Sequence, residues 1–113
     1  MGLDLRVYID KYCGTMNEYF LGTESLSFYR DYDLFDKIRE FNSKLITEEK
    51  IKFSEYSDTG LFERSDDPYG GPLTFVKAGQ FSKISYTKNS WNNAVLQFLK
   101  LLPSETIVIL YWY

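Results

Sequence analysis

Strict alternation of apolar and polar residues marks the start of the chain. The apolar positions are Leu3, Leu5, Val7 and Ile9, and the polar positions between them are Asp4, Arg6, Tyr8 and Asp10. This period of two predicts a half-buried β-strand over residues 3–10. Residues 25–30, with Leu26 and Phe28 facing one way, predict a second strand that pairs antiparallel with the first.

The pattern then changes to helical spacing. The apolar residues that recur at this spacing are Leu34, Phe35, Ile38, Phe41 and Leu45, which predicts a helix with one apolar stripe. Asp33 is its predicted N-cap, Asp36 lies in its first turn, and Asn42 marks its predicted end. A short strand at residues 50–55 follows, and residues 58–60 form a turn after it.

Residues 65–72, with the sequence Ser-Asp-Asp-Pro-Tyr-Gly-Gly-Pro, give the strongest loop signal in the chain. Two prolines and two adjacent glycines oppose both a helix and a central strand. Beyond this loop, a helical turn is predicted at residues 78–84, and Asn89 or Ser90 caps a longer helix that Pro103 ends. The apolar face predicted for that helix consists of Trp91, Val95, Phe98 and Leu102.

The last eight residues, 106–113, are β-branched and then aromatic, and they are apolar on both faces. A strand in the middle of a sheet, covered on both sides, has this pattern. The sequence therefore predicts an α+β fold with residues 1–113 as a single two-layer domain, in which a mainly antiparallel sheet of about four strands packs against two helices. A loop, the short helix or another subunit is expected to cover the second face of the terminal strand, and an uncovered face would be a candidate binding site.

The amino-acid composition limits the kinds of catalytic and metal-binding sites that the chain can form. Aromatic residues make up 19% of the chain, with ten Tyr and nine Phe, which favours a sheet and supplies side chains suited to interfaces. The chain has no His and a single cysteine, Cys13. The lack of imidazole excludes Ser/His and Cys/His catalytic pairs and the usual His-containing zinc sites, and one thiol excludes an intrachain disulfide. We therefore expect no catalytic residues, no metal and no cofactor.

Charge is unevenly distributed. Residues 1–70 hold nine Lys/Arg and fifteen Asp/Glu, whereas residues 71–113 hold four lysines, Lys77, Lys83, Lys88 and Lys100, and one acidic residue, Glu105. The acidic part would repel a phosphate backbone, so nucleic acid is not an expected partner. It suits a basic protein partner.

No apolar stretch indicates a membrane segment. The longest apolar run, residues 107–113, is far shorter than the roughly 20 residues that span a bilayer. Asp4, Arg6 and Asp10 interrupt any signal-peptide core near residue 1. We therefore expect a cytoplasmic protein without a membrane partner.

The loop and the chain end supply the candidate binding residues. Asp66 and Asp67 are explained by turn chemistry, and with Tyr69, an aromatic anchor in the same loop, they form the first candidate site. Trp112 is the other candidate, which either fills the core or lines a cleft. Gly70 and Gly71 match neither the P-loop nor the dinucleotide-binding fingerprint.

Several short motifs resemble those of a group of small proteins. Met1-Gly-Leu-Asp4, followed by an alternating strand, resembles the start of small bacterial and phage proteins of unassigned activity. Residues 68–75, 91–96, 101–103 and 109–112 are similar to segments of small bacterial proteins. The resemblance implies a bacterial or phage origin and carries no activity onto particular residues.

Three functions remain open from the sequence. The leading hypothesis is a small acidic, non-enzymatic interaction protein that binds and modulates another protein, as immunity proteins and phage-encoded inhibitors do. The alternative is a small-ligand-binding or enzymatic domain with a pocket between the sheet and the 65–72 loop. The third is a homodimeric structural protein that pairs its terminal strand or an apolar sheet face.

Overall fold

The structure, a computed structural model, describes residues 4–9, 19–21, 24–49 and 51–113. Cys13, Lys50 and the two ends of the first predicted strand, Leu3 and Asp10, lie outside the described residues. The elements, in chain order, are β1 (Leu5–Ile9), β2 (Tyr19–Leu21), β3 (Ser25–Ser27), α1 (Tyr32–Arg39), β4 (Lys44–Leu45), β5 (Lys52–Ser57), β6 (Gly60–Arg64), β7 (Thr74–Lys77), a 3₁₀ helix (Ala78–Lys83), α2 (Ser90–Leu101) and β8 (Ile107–Trp112).

Five strands form a central sheet in the order β3-β1-β8-β7-β4, and every neighbouring pair is antiparallel. The predicted antiparallel pairing of the first two strands is confirmed, because Val7 lies opposite Leu26. The terminal strand β8 lies in the middle of the sheet, as its apolar pattern predicts. The α+β class and the mainly antiparallel sheet are also confirmed.

One face of the central sheet packs against the helices. Leu5, Val7 and Ile9 of β1 point to this side, and Val108 and Leu110 of β8 lie beside them. The buried residues that cover them come from α1, the 3₁₀ helix and α2. The core between sheet and helices therefore uses the alternating set of β1 that the sequence indicated.

A second sheet covers the opposite face. This outer sheet has the order β2-β5-β6, with β2 parallel and β6 antiparallel to β5. Phe53 of β5 is fully buried there, in one cluster with Tyr8, Ile109 and Tyr111 of the central sheet. The cover predicted for β8 was a loop, a short helix or another subunit. The outer sheet supplies it instead, because β5 carries the apolar face that β8 needs.

The ends of α1 differ from the prediction. Its N-cap is Asp31, whose Oδ1 accepts a hydrogen bond from the Leu34 amide at 3.1 Å. Asp33, the predicted N-cap, lies inside the first turn, and the helix ends at Arg39 before reaching Asn42. Tyr32 and Asp33 can both occupy the first turn of a helix, so the pattern of apolar residues does not show whether Asp31 or Asp33 is the N-cap.

The N-cap of α2 is confirmed, but its predicted buried face is partly wrong. Asn89 caps the helix through its side chain, which accepts from the Asn92 amide at 2.9 Å. Trp91 and Phe98, predicted to face the core, are exposed. The buried positions are Asn92, Val95, Leu96 and Leu99. The 3₁₀ helix and the 65–72 turn occur where the sequence predicted them.

Candidate functional site

Helix α2 exposes an apolar stripe that borders its buried face. Trp91, Ala94, Phe98 and Leu101 follow one another at helical spacings of three, four and three residues, so they share one face. All four are exposed, Trp91 by 54%, Phe98 by 44% and Leu101 by 85%. We call these four residues the α2 outer surface.

The apolar residues of α2 form one broad arc that is wider than its buried face. Lys100 is the only charged residue among the twelve of the helix. An apolar arc that extends beyond the buried positions is normally covered in the folded state. Here part of the arc packs against the central sheet, and the rest is bare in the monomer. An apolar face of this kind is typical of a site that another molecule covers.

The indole of Trp91 is fixed although its ring is half exposed. Its Nε1–H donates to the Ser27 carbonyl at 2.7 Å, so the polar edge of the ring is satisfied by the protein. A ring held in this way has already lost much of its side-chain entropy, so binding a partner costs less at this position. Trp91 is therefore exposed and already fixed in one orientation, as a contact residue should be.

Two asparagines beside Trp91 hold neighbouring segments against α2. The buried Asn92 side chain accepts from the Tyr29 amide at 2.7 Å and donates to the Tyr29 carbonyl at 2.8 Å. Asn93 makes the same pair of bonds to Thr87, at 2.9 and 2.6 Å. The motif Trp91-Asn92-Asn93 thus fixes the backbone on both flanks of the helix start. The phenol of Tyr29 remains exposed.

Sequence reasoning missed this surface for an identifiable reason. Apolar residues of α2 occupy one broad arc of the helix, and periodicity alone does not say which part of the arc meets the core. The signal that could have decided is the Asn92-Asn93 pair, because a buried amide that bonds another segment's backbone fixes the rotation of the helix. That bonding depends on Tyr29, which is distant in sequence.

The loop candidates lie together on a tight turn. Asp67 Oδ1 accepts hydrogen bonds from the amides of Tyr69, at 2.8 Å, and Gly71, at 2.9 Å. The Asp67 amide also donates to the Gly71 carbonyl at 2.7 Å. Gly70 has a φ of +81°, a conformation that favours glycine. Tyr69 is therefore exposed on a turn that the hydrogen bonds of Asp67 hold in place, and Asp66 is exposed beside it.

Trp112 is not part of that group. Its ring packs edge-on against Phe35, with centroids 5.5 Å apart, and the Arg39 guanidinium lies 4.1 Å from its centroid. These contacts are on the helix side of the central sheet, whereas Leu73, which follows the loop, packs on the outer-sheet side. The structure brings Asp66, Asp67 and Tyr69 together and places Trp112 elsewhere.

A chain of polar side chains connects the two sheets. Arg6 donates to the Tyr8 hydroxyl at 3.2 Å, and that hydroxyl donates to Glu55 Oε1 at 2.5 Å. Arg64 Nε lies 2.7 Å from Glu55 Oε2. Burial and the bond to Glu55 raise the pKa of Tyr8 to about 12, because both disfavour the phenolate.

These hydrogen bonds between the two sheets are suited to stabilising the fold and not to catalysis. A phenol with a raised pKa stays protonated at neutral pH, so it is neither a base nor an activated nucleophile. Both Glu55 oxygens contact partners, and the carboxylate is compensated by Arg64. Among the described residues, His, Cys, Asp and Glu side chains do not gather in threes that could hold a metal ion.

In the described part of the chain, α1 and α2 fall short of the length and apolarity that crossing a bilayer requires. Comparison with models of protein families, with curated proteins and with solved structures gave no match.

Proposed function

We propose that this protein is a non-enzymatic interaction protein that binds and modulates another protein, and that the α2 outer surface is its principal contact. Immunity proteins and phage-encoded inhibitors act in this way. The observation that carries the proposal is the exposed stripe of Trp91, Ala94, Phe98 and Leu101 on a helix that is also apolar on its buried side.

The composition of the stripe supports a protein partner. Binding energy at protein interfaces is concentrated in a few residues, and Trp is among the most enriched of these. The Trp91 indole is fixed by the hydrogen bond that its Nε1–H donates to the Ser27 carbonyl at 2.7 Å. A large ring that is exposed and already fixed provides contact area with little further loss of entropy.

The test compares partners recovered with two variants. F98Q/L101Q places polar side chains that favour helices on the α2 outer surface and keeps the bond between Trp91 and Ser27. F62Q is the matched control, because Phe62 of β6 is 47% exposed and Phe98 is 44% exposed. Each tagged protein is expressed in its native host, and the proteins that co-purify are quantified by mass spectrometry.

We expect one protein to be recovered in stoichiometric amount with the wild type and with F62Q, and at least about tenfold less with F98Q/L101Q. Cross-links from that protein should map to the α2 outer surface. The proposal would be wrong if recovery were the same for all three proteins. A Y69S variant tests the loop candidate in the same experiment, and selective loss there would move the principal contact to the 65–72 turn.

A further inference from the structure

We infer that the free protein pairs its α2 outer surface with that of a second copy, so that a partner binds there only after the two copies separate. The pairing stands on the surface alone, whereas the competition with a partner rests on the proposed function. The four residues of the surface are spaced by three, four and three positions along the helix. This series is the same in both directions along the chain, which is what pairing with an identical surface requires.

The spacing determines which residues of the two copies meet. Spacings that alternate between three and four residues are typical of helices that pack along a seam at a small crossing angle. About a two-fold axis, residue i of one copy contacts residue j of the other, and j contacts i. In an antiparallel pair, Trp91 then lies opposite Leu101 of the second copy, and Ala94 lies opposite Phe98. Both contacts belong to one register.

The sizes of the side chains match in this register. Ala94 is the small residue of the surface and Phe98 is a large one, so the ring of Phe98 from each copy fills the space beside Ala94 of the other. Cores and interfaces reach a high packing density when large residues face small ones. A helix from an unrelated protein would not require sizes that are complementary about the middle of the stripe, whereas a second copy does.

Two copies can approach because no charge of α2 lies at this contact. Ser90 and Gln97 flank the stripe, since each is three or four positions from Ala94 or Leu101. Both are exposed and neutral. Lys100 is nine positions after Trp91, which is about two and a half turns, so it lies on the opposite side of the helix. Self-pairing therefore brings no like charges of this helix together.

The area of the stripe is sufficient for a weak dimer. Trp91, Phe98 and Leu101 are exposed by 54%, 44% and 85%, which leaves roughly 400 Å² of apolar surface on each copy. Because about 60% of an interface is apolar, a contact with this centre covers roughly 650 Å² on each copy, at the lower end of the range for specific pairs. We expect a dissociation constant on the order of 10 μM, so that a partner with a larger contact can displace the second copy.

Sedimentation equilibrium of the pure protein measures this pairing, over concentrations about tenfold to either side of that dissociation constant. We expect the wild type to be in equilibrium between monomer and dimer, and F98Q/L101Q to dimerise at least about tenfold more weakly. F62Q is the matched control and should dimerise like the wild type, because Phe62 is 47% exposed but lies on β6.

Two further variants test the register. A94F adds apolar surface but places two rings at the same point of the seam, so it should weaken the dimer by about tenfold. A94F/F98A exchanges the large and the small residue, which restores the match across the two-fold axis and should return the dissociation constant to within about threefold of the wild type. Both positions are exposed, and urea unfolding of each variant verifies that it folds.

Several results would overturn the pairing. These are a wild type that stays monomeric, a dimer that F98Q/L101Q does not weaken, and an A94F variant that associates more strongly than the wild type. Each leaves the proposed function standing, because the recovery of a partner is measured separately. A dimer that behaves as expected, together with no partner recovered by the wild type, would show that the α2 outer surface serves the second copy alone and that the proposed function is wrong.

The competition is tested with the protein recovered in the co-purification experiment. Adding it to the dimer should give complexes that contain one copy of this chain, with the dimer lost in proportion. A complex that still contains the two paired copies would overturn the competition, since the partner would then bind elsewhere.

Discussion

Asn92 and Asn93 make the same hydrogen bonds in different surroundings. Asn92 is fully buried, so removing its amide leaves the amide and carbonyl of Tyr29 without partners and without water. We expect N92A to lower the free energy of unfolding by about 2–4 kcal/mol. N93A should cost about 1 kcal/mol, because Asn93 is only partly buried and water can replace its side chain.

Urea unfolding of both variants checks this prediction. Equal losses for N92A and N93A would contradict the argument from burial. N92A should also weaken partner binding at the α2 outer surface, since Tyr29 and Trp91 are positioned on either side of this amide.

Tyr8 makes stability depend on alkaline pH. Its folded-state pKa is about 12, above the ordinary tyrosine value of about 10, so between these values the folded protein keeps a proton that the unfolded chain loses. Its contribution is fully present below pH 10 and is lost as pH rises through 12, by roughly 2 kcal/mol. Burial also raises the pKa of Tyr111, so part of the alkaline loss should remain in Y8F.

Urea unfolding of wild type and Y8F between pH 8 and about pH 12 measures this contribution. The stability difference between the two proteins should shrink across that interval. A constant difference would show that the ionisation of Tyr8 is not coupled to folding. Arg6, Glu55 and Arg64 are present in both proteins, so their charges cancel in the comparison.

Asp31 and Asp33, both near the start of α1, should contribute differently to stability. Asp31 accepts from the Leu34 amide through Oδ1 and from the Thr87 hydroxyl through Oδ2, at 3.1 and 2.7 Å. D31A should therefore lower the free energy of unfolding by about 1–2 kcal/mol. Asp33 lies in the first turn of α1, where its charge complements the helix dipole, so D33A should cost about 0.3 kcal/mol. Thermal unfolding measures both, and a larger loss for D33A would restore Asp33 as the functional cap.

Elements with strong local signals could be predicted from sequence. Alternation in β1, the apolar run of β8 and the Asn89 cap each depend on a few neighbouring residues, and each agrees with the structure. The outer sheet was only partly predictable. The residues of β6 whose burial the structure describes, including Phe62, are exposed, and β2 is a three-residue strand that depends on parallel pairing with the distant β5.

The candidate site was less predictable than the fold. The loop residues Asp66, Asp67 and Tyr69 were found from turn chemistry, which is local. Two residues of the α2 outer surface, Trp91 and Phe98, are predicted to face the core because they have the residue types and spacing of core positions. Only the partners of Asn92 and Trp91, which belong to residues 27–29, fix the rotation that exposes them.

At the scale of the whole molecule, the central sheet separates two surfaces, with the outer sheet on one side and α1, the 3₁₀ helix and α2 on the other. The helix side carries charges of both signs, because α1 holds Asp33 and Asp36 as well as Lys37 and Arg39. A single partner bound at α2 would therefore leave the outer sheet exposed to solvent.

This separation predicts that stability and binding can be changed independently. Phe53 is fully buried between the two sheets, with its ring 4.8 Å from that of Tyr8, so F53A should lower the free energy of unfolding by about 3–5 kcal/mol. F62A, on the exposed side of the neighbouring strand, should change it by less than about 0.5 kcal/mol. Urea unfolding gives both values.

Below its unfolding transition, F53A should still bind the partner with wild-type affinity, because the α2 outer surface lies beyond the central sheet. Loss of the partner by folded F53A would place the contact on the outer sheet and remove the reason for assigning it to α2.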